Sequence, residues 1–119
     1  MKQIFRLWTA LLVLSFGAQS AWAETRLALI VGNGSYSSVT QLDNPVHDAA
    51  LMAQALTAKG FEVTMLTDVG QTALNQGIAQ FGRDLRAAGK DATGLFYYAG
   101  HAVQSFGENY LLPVDASLT

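Results

Sequence analysis

Two histidines, one carboxylate beside the first of them and the absence of any cysteine bound the chemistry available to this 119-residue chain. His101 follows Gly100 just past the apolar run Leu95-Phe96-Tyr97-Tyr98. Open α/β sheets place their sites at that carboxyl edge of a strand, and imidazole is suited to general acid or base work. A loop histidine hydrogen-bonded to a carbonyl is the structural alternative. His47 falls in the first turn of an expected helix, where the dipole disfavours a cation, and reads as a surface residue. A metal shared by His47 and His101 lacks a third ligand at supportive spacing, so no metal and no cofactor is expected. Asp48, also near the helix start, reads on its own as a structural carboxylate. The missing thiol excludes disulfides, thiolate zinc sites and a cysteine nucleophile within the chain. Gly32-Asn33-Gly34 does not make a dinucleotide site. Some ten loop residues separate it from the next helix, and Ser37 occupies the third glycine position, whereas a pyrophosphate needs the turn to open directly into a helix N-terminus.

The elements that position these residues follow from periodicity. Arg26–Val31 is a short apolar run of the kind buried on both faces of a parallel sheet. Asn44-Pro45 predicts a helix start, with Asn as cap and Pro in the first position. Val46, Ala49, Ala50, Ala53 and Leu56 keep helical spacing up to a left-handed cap at Gly60. Phe61–Thr67 reads as a second strand. A second helix begins near Thr72, carries Leu74, Ile78, Phe81 and Leu85 on one stripe, and ends at Gly89. Gly77 and Gly82 within it cost about 1 kcal/mol each relative to Ala, so docking must hold this helix. Thr93–Tyr98 reads as the third strand. Val103–Ser105 and Tyr110–Leu112, separated by residues 106–109, read as a β-hairpin. Strand–helix–strand–helix–strand predicts right-handed crossovers and an α/β fold with an incomplete parallel sheet, helices on its faces. In strand order 2-1-3 the third strand is an apolar edge able to recruit another chain.

Half of the residues are apolar and 13% are charged, a composition for packing rather than disorder. Seven basic against nine acidic residues leave no basic face for nucleic acid. Lys2 and Arg6, the apolar stretch Leu7–Phe16 and Ala21-Trp22-Ala23 form the n-region, h-region and cleavage pattern of a signal peptide over residues 1–23. An h-region of about ten residues is too short for a bilayer span, which takes ~20. The expectation is therefore an exported, periplasmic or secreted bacterial domain over residues 24–119, without a stable membrane anchor after cleavage.

Leu27–Asn33, Tyr36, Leu42–Pro45, Asp48-Ala49, Gly60–Val63, Phe96–His101 and Asn109–Asp115 together form one ordered pattern. It resembles the N-terminal, large-subunit part of bacterial caspase-like cysteine peptidases, relatives of metacaspases. The resemblance covers residues 26–119. It implies a caspase-hemoglobinase-like three-layer fold, peptide or protein substrates, and endopeptidase chemistry by a Cys–His dyad. His101 matches the dyad histidine. Asp48 matches an acid that helps bind a basic residue on the acyl side of the scissile bond, a role for which a carboxylate facing a guanidinium or ammonium is well suited.

Three departures stand out. Ala102 occupies the place of a usual Gly whose backbone N–H helps form the oxyanion hole; the N–H remains, but a positive φ there would strain Ala. His47 replaces an Asn. The nucleophilic Cys belongs on a following strand, beyond residue 119. Ser35 and Ser105 do not sit at the matching position, and a base without a nucleophile opens no acyl-enzyme route. The chain then reads as a fragment of a peptidase, inactive alone. The alternatives are one piece of a split peptidase completed by a C-terminal portion carrying the Cys, or a non-catalytic binding or decoy domain.

Overall fold

A computed structural model of the chain describes residues 24–118; the expected signal peptide lies outside the described residues. The elements are β1 (Arg26–Gly32), α1 (Pro45–Ala58), β2 (Glu62–Thr67), α2 (Gln71–Ala88), β3 (Thr93–Ala99), β4 (Ala102–Ser105) and β5 (Glu108–Leu111). β1 is central, and it alone among the three long strands is fully buried along most of its length. β2 and β3 flank it in parallel, giving the order β2-β1-β3.

The period of two along β1 divides the core into two layers. Ala28 and Ile30 face α1, where Ala49 and Leu56 complete a buried cluster flanked by Met52, Phe61, Val63, Leu95 and Tyr97. Leu29 and Val31 face α2 and meet Leu74, with Leu66, Val69, Phe81 and Tyr98 around them. Helix, sheet and helix are thus stacked as three layers. Each fully buried Leu, Ile or Val side chain contributes roughly 1.5–3 kcal/mol by leaving water, so β1 is the strand whose loss the fold tolerates least. Gly77 explains how α2 docks: a Cβ there would collide with the Leu66 side chain, so its missing side chain permits contact with β2 and offsets its poor helix propensity. On the α2 side Phe96, in register with Leu29, is left 43% exposed. β3 has no further strand on its outer edge among the described residues.

Two local expectations are corrected. Asn44 is no side-chain cap; it has helical backbone angles and makes no capping bond, although its carbonyl accepts from Asp48 N–H at 2.8 Å. Pro at the helix start has no N–H that needs an acceptor, which removes part of the demand for a cap. The hairpin turn is two residues rather than four. Phe106 and Gly107 both have positive φ, the geometry that matches the twist of a two-residue hairpin, and so Glu108 and Asn109 join β5. The start of α2 is capped from far away: Asp115 Oδ1 accepts the Gln71 N–H at 2.9 Å.

Candidate functional site

The carboxyl ends of the three parallel strands are roofed by two segments, the β1–α1 loop and residues Leu112–Asp115. Asn33, completely buried, continues β1. Its N–H reaches the Ala99 carbonyl at 2.8 Å, its Oδ1 accepts from Val69 N–H at 3.0 Å, and its Nδ2 points to the Leu112 carbonyl at 3.4 Å. One residue, through its backbone N–H and its side chain, therefore ties together the ends of all three strands and the roof. The loop after it is pinned by Asp68, whose carboxylate accepts from Gly34 N–H, Ser35 N–H and the Ser35 hydroxyl. On the other side, Ser37 N–H donates to the Val114 carbonyl and Val114 N–H to that of Val69, each at 3.0 Å.

His101 lies half-buried beneath this roof, separated from the end of β3 only by Gly100. Its Nε2 is 2.7 Å from the carbonyl oxygen of Thr40. A carbonyl can only accept, so Nε2 carries a proton. In the neutral ring Nδ1 is then the lone-pair nitrogen, and it meets no protein partner among the described residues. The backbone of His101 is held as well: its N–H donates to the Tyr36 hydroxyl at 2.8 Å, and its carbonyl accepts from Leu112 N–H at 2.9 Å. Both sequence-based readings of His101 thus share one geometry. The histidine is hydrogen-bonded to a carbonyl, and that bond leaves the opposite nitrogen able to take or give a proton.

Ala102 opens β4 opposite Leu111. The Leu112 N–H to His101 carbonyl bond makes Ala102 and Leu111 a non-hydrogen-bonded pair, so the Ala102 N–H points out of the ladder. Ala102 is not among the positive-φ residues, which among the described residues are, besides glycines, Asp68 and Phe106. The strain that a non-glycine residue would suffer in a left-handed conformation is therefore absent. We expect Ala102→Gly to lower stability by about 0.5–1 kcal/mol, the entropic penalty of Gly in a strand, as read from a urea unfolding midpoint. A variant more stable than the parent would show that Ala102 is strained after all.

Asp48 and His47 are exposed in the first turn of α1, and no hydrogen bond joins either to His101. Asp48 has no side-chain hydrogen-bond partner among the described residues. Ser35 is occupied by Asp68, and Ser105 is exposed at the end of β4. A cavity of about 580 Å³ lies elsewhere, at the amino ends of β1 and β2, lined by Leu27, Glu62, Thr64, Phe81 and Asp84 among others. It has no chemistry in common with His101, and the strand-end cluster is the better candidate.

Residues 25–119 match the caspase domain family. The chain belongs to it. Curated relatives include the human mucosa-associated lymphoid tissue lymphoma translocation protein 1, 32% identical over 94 residues, and its mouse homolog, 33% identical over 94 residues. The alignment takes in 79% of this chain in each case, and the chain spans 11% of the length of those relatives. The three-layer α/β arrangement agrees with a caspase domain.

In this caspase domain the residues that hold the site were harder to find from sequence than His101. Tyr36 belongs to the motif pattern but carries no role there. Asn33 is disguised by a Gly-Asn-Gly turn, and Asp68 and Asp115 act across separations of 34 and 44 residues. A buried polar residue directly after a core strand is the one local signal that could have marked Asn33, because such a group must find partners.

Asp68 also makes the caspase domain sensitive to acid. Hydrogen bonds from Gly34 N–H and, next, Ser35 N–H hold its carboxyl below the ordinary 3.8. A depressed folded-state pKa contributes stability that is complete above the unfolded value and is lost as pH falls through the folded one. Asp68→Asn keeps the shape and tolerates the left-handed backbone at φ 51°. Its urea midpoint should lie below the parent's at pH 7, with the gap narrowing below about pH 4. A gap unchanged between neutral and strongly acidic solution would count against this account.

Proposed function

We propose that the chain is the histidine-bearing, N-terminal part of a bacterial, metacaspase-type cysteine endopeptidase that prefers Arg or Lys before the scissile bond. The observation that carries this reading is the His101 Nε2 contact to the Thr40 carbonyl at 2.7 Å, which leaves Nδ1 for proton transfer beside an open strand edge. A strand added to β3 would bring a thiol from outside these 119 residues, which contain no Cys, to the same end of the sheet. In the reaction the thiolate attacks the scissile carbonyl and forms the S–C bond. His101, carrying the thiol's proton, gives it to the departing amine as the C–N bond breaks. The outward Ala102 N–H is suited to stabilising the oxyanion, and Asp48 to binding the substrate's basic group. Water then cleaves the acyl-enzyme.

On this reading residues 1–23 are removed on export and the mature domain works in the periplasm or outside the cell. Its four excess negative charges, five basic against nine acidic residues once Lys2 and Arg6 are gone, favour a basic substrate over nucleic acid. The test is co-expression with the polypeptide encoded directly downstream of Thr119, followed by assay on peptides with Arg, Lys or a neutral residue before the cleaved bond. Hydrolysis confined to the basic peptides and dependent on the added portion's Cys is the expected result. If no such portion is encoded and the chain binds peptides without cleaving them, the peptidase reading fails and a binding domain takes its place.

A further inference from the structure

Tyr36 and Tyr98 bring two phenol hydroxyls together at 3.1 Å beneath the roof, and neither has a part in the chemical steps proposed above. Tyr36 is 1% exposed. Its oxygen accepts the His101 N–H at 2.8 Å, and its own proton can reach the Leu112 carbonyl at 2.9 Å or the Tyr98 oxygen. The Tyr98 hydroxyl lies 2.8 Å from the His101 carbonyl and 2.8 Å from that of Leu112. Two hydroxyl protons thus serve two backbone carbonyls, while a Tyr36 lone pair takes up the histidine N–H. The Tyr36 ring also lies against the imidazole, with centroids 4.8 Å apart and planes tilted by 57°.

The fit is close enough to dictate a neighbour. A Cβ on Gly100 would sit 2.6 Å from the Tyr98 oxygen and 2.8 Å from that of Tyr36, so only Gly can precede His101 while both hydroxyls are present. Burial, and then the bond to Tyr36, raises the Tyr98 pKa well above its usual 10, consistent with a hydroxyl that must keep its proton to donate.

We propose that Tyr36 and Tyr98 are positioning residues for His101: their paired hydroxyls grip its backbone N–H and C=O from both sides and so hold the imidazole Nε2 on the Thr40 carbonyl. The functional weight of this pair rests on the reading of His101 as the proton-transfer group, whereas its geometry does not. Phenols with a merely structural role would stabilise the fold without governing which ring nitrogen carries the proton. The pair therefore has a spectroscopic signature.

The experiment is ¹⁵N NMR of the full chain at a pH where the His101 ring is neutral, with urea unfolding alongside. The parent should show one dominant ring tautomer, protonated at Nε2, and a His101 amide that exchanges at least tenfold more slowly than the exposed amides of the β4–β5 turn. Tyr36→Phe and Tyr98→Phe should each mix the two tautomers and speed exchange of that amide. Tyr110→Phe, which removes only an exposed bond to Glu108, should change neither. A single Nε2–H tautomer retained in a folded Tyr36→Phe or Tyr98→Phe chain overturns the proposal. So does fast exchange of the His101 amide in the parent, a measurement that needs no variant to fold. Because neither readout involves hydrolysis, failure here is distinct from failure of the peptidase reading.

Discussion

His101→Ala should abolish nearly all peptide hydrolysis by the completed domain, with kcat falling by ~10²–10⁴-fold, the span that positioned proton transfer contributes. An amine leaves as a poor anion unless protonated, so loss of the acid strikes the bond-breaking step and not substrate capture. KM should therefore change little while kcat collapses. The measurement is steady-state hydrolysis of an Arg-containing peptide by the chain together with its Cys-bearing portion, parent against variant. Turnover within tenfold of the parent would mean that another group moves the proton. The expectation draws its force from geometry: Nε2 is occupied by the Thr40 carbonyl, and a proton leaving the ring toward substrate must leave from Nδ1.

Asp48→Asn should act on recognition instead. The substitution preserves shape and removes charge, so it should lower kcat/KM for Arg peptides by roughly ten- to 150-fold, the equivalent of one charge-assisted contact of ~1.5–3 kcal/mol. Peptides with a neutral residue in that position should be nearly unaffected. Magnitude decides between two environments. Asp48 is exposed in the described residues, and an ion pair that stays in water contributes only ~0.2–1 kcal/mol, about fivefold at most. A loss of tenfold or more requires that substrate and completed domain together exclude water from this carboxylate. An unchanged preference for Arg would return Asp48 to the role of a helix-start carboxylate.

The layers of this fold were legible in sequence because burial leaves a periodic trace. Ala28 and Ile30 alternate with Leu29 and Val31, and both helices show their stripes, so the order β2-β1-β3 could be anticipated. The place of His101 was legible too, because an apolar strand followed by a Gly puts the next residue at the carboxyl edge of the sheet. The shell around it was not. Asn33, Tyr36 and Tyr98 converge on the Leu112 carbonyl from separations of 79, 76 and 14 residues, and no local pattern encodes such a meeting. The Asn44 cap failed because Pro45 already removes an orphan donor, and the hairpin turn because Phe is an unusual occupant of a left-handed position.

The roof over His101 also sets when the site can exist. Synthesis at ~5–20 residues per second places several seconds between the emergence of Tyr36 and that of Leu112. During that interval Asn33 and Tyr36 lack the carbonyl that later satisfies them, and buried polar groups without partners are costly. The strand ends must stay hydrated until Leu112 arrives, so the hydrogen-bonded shell around His101 closes only after residue 112 has been made. A chain interrupted between His101 and Leu112 would keep its histidine and still lack the site.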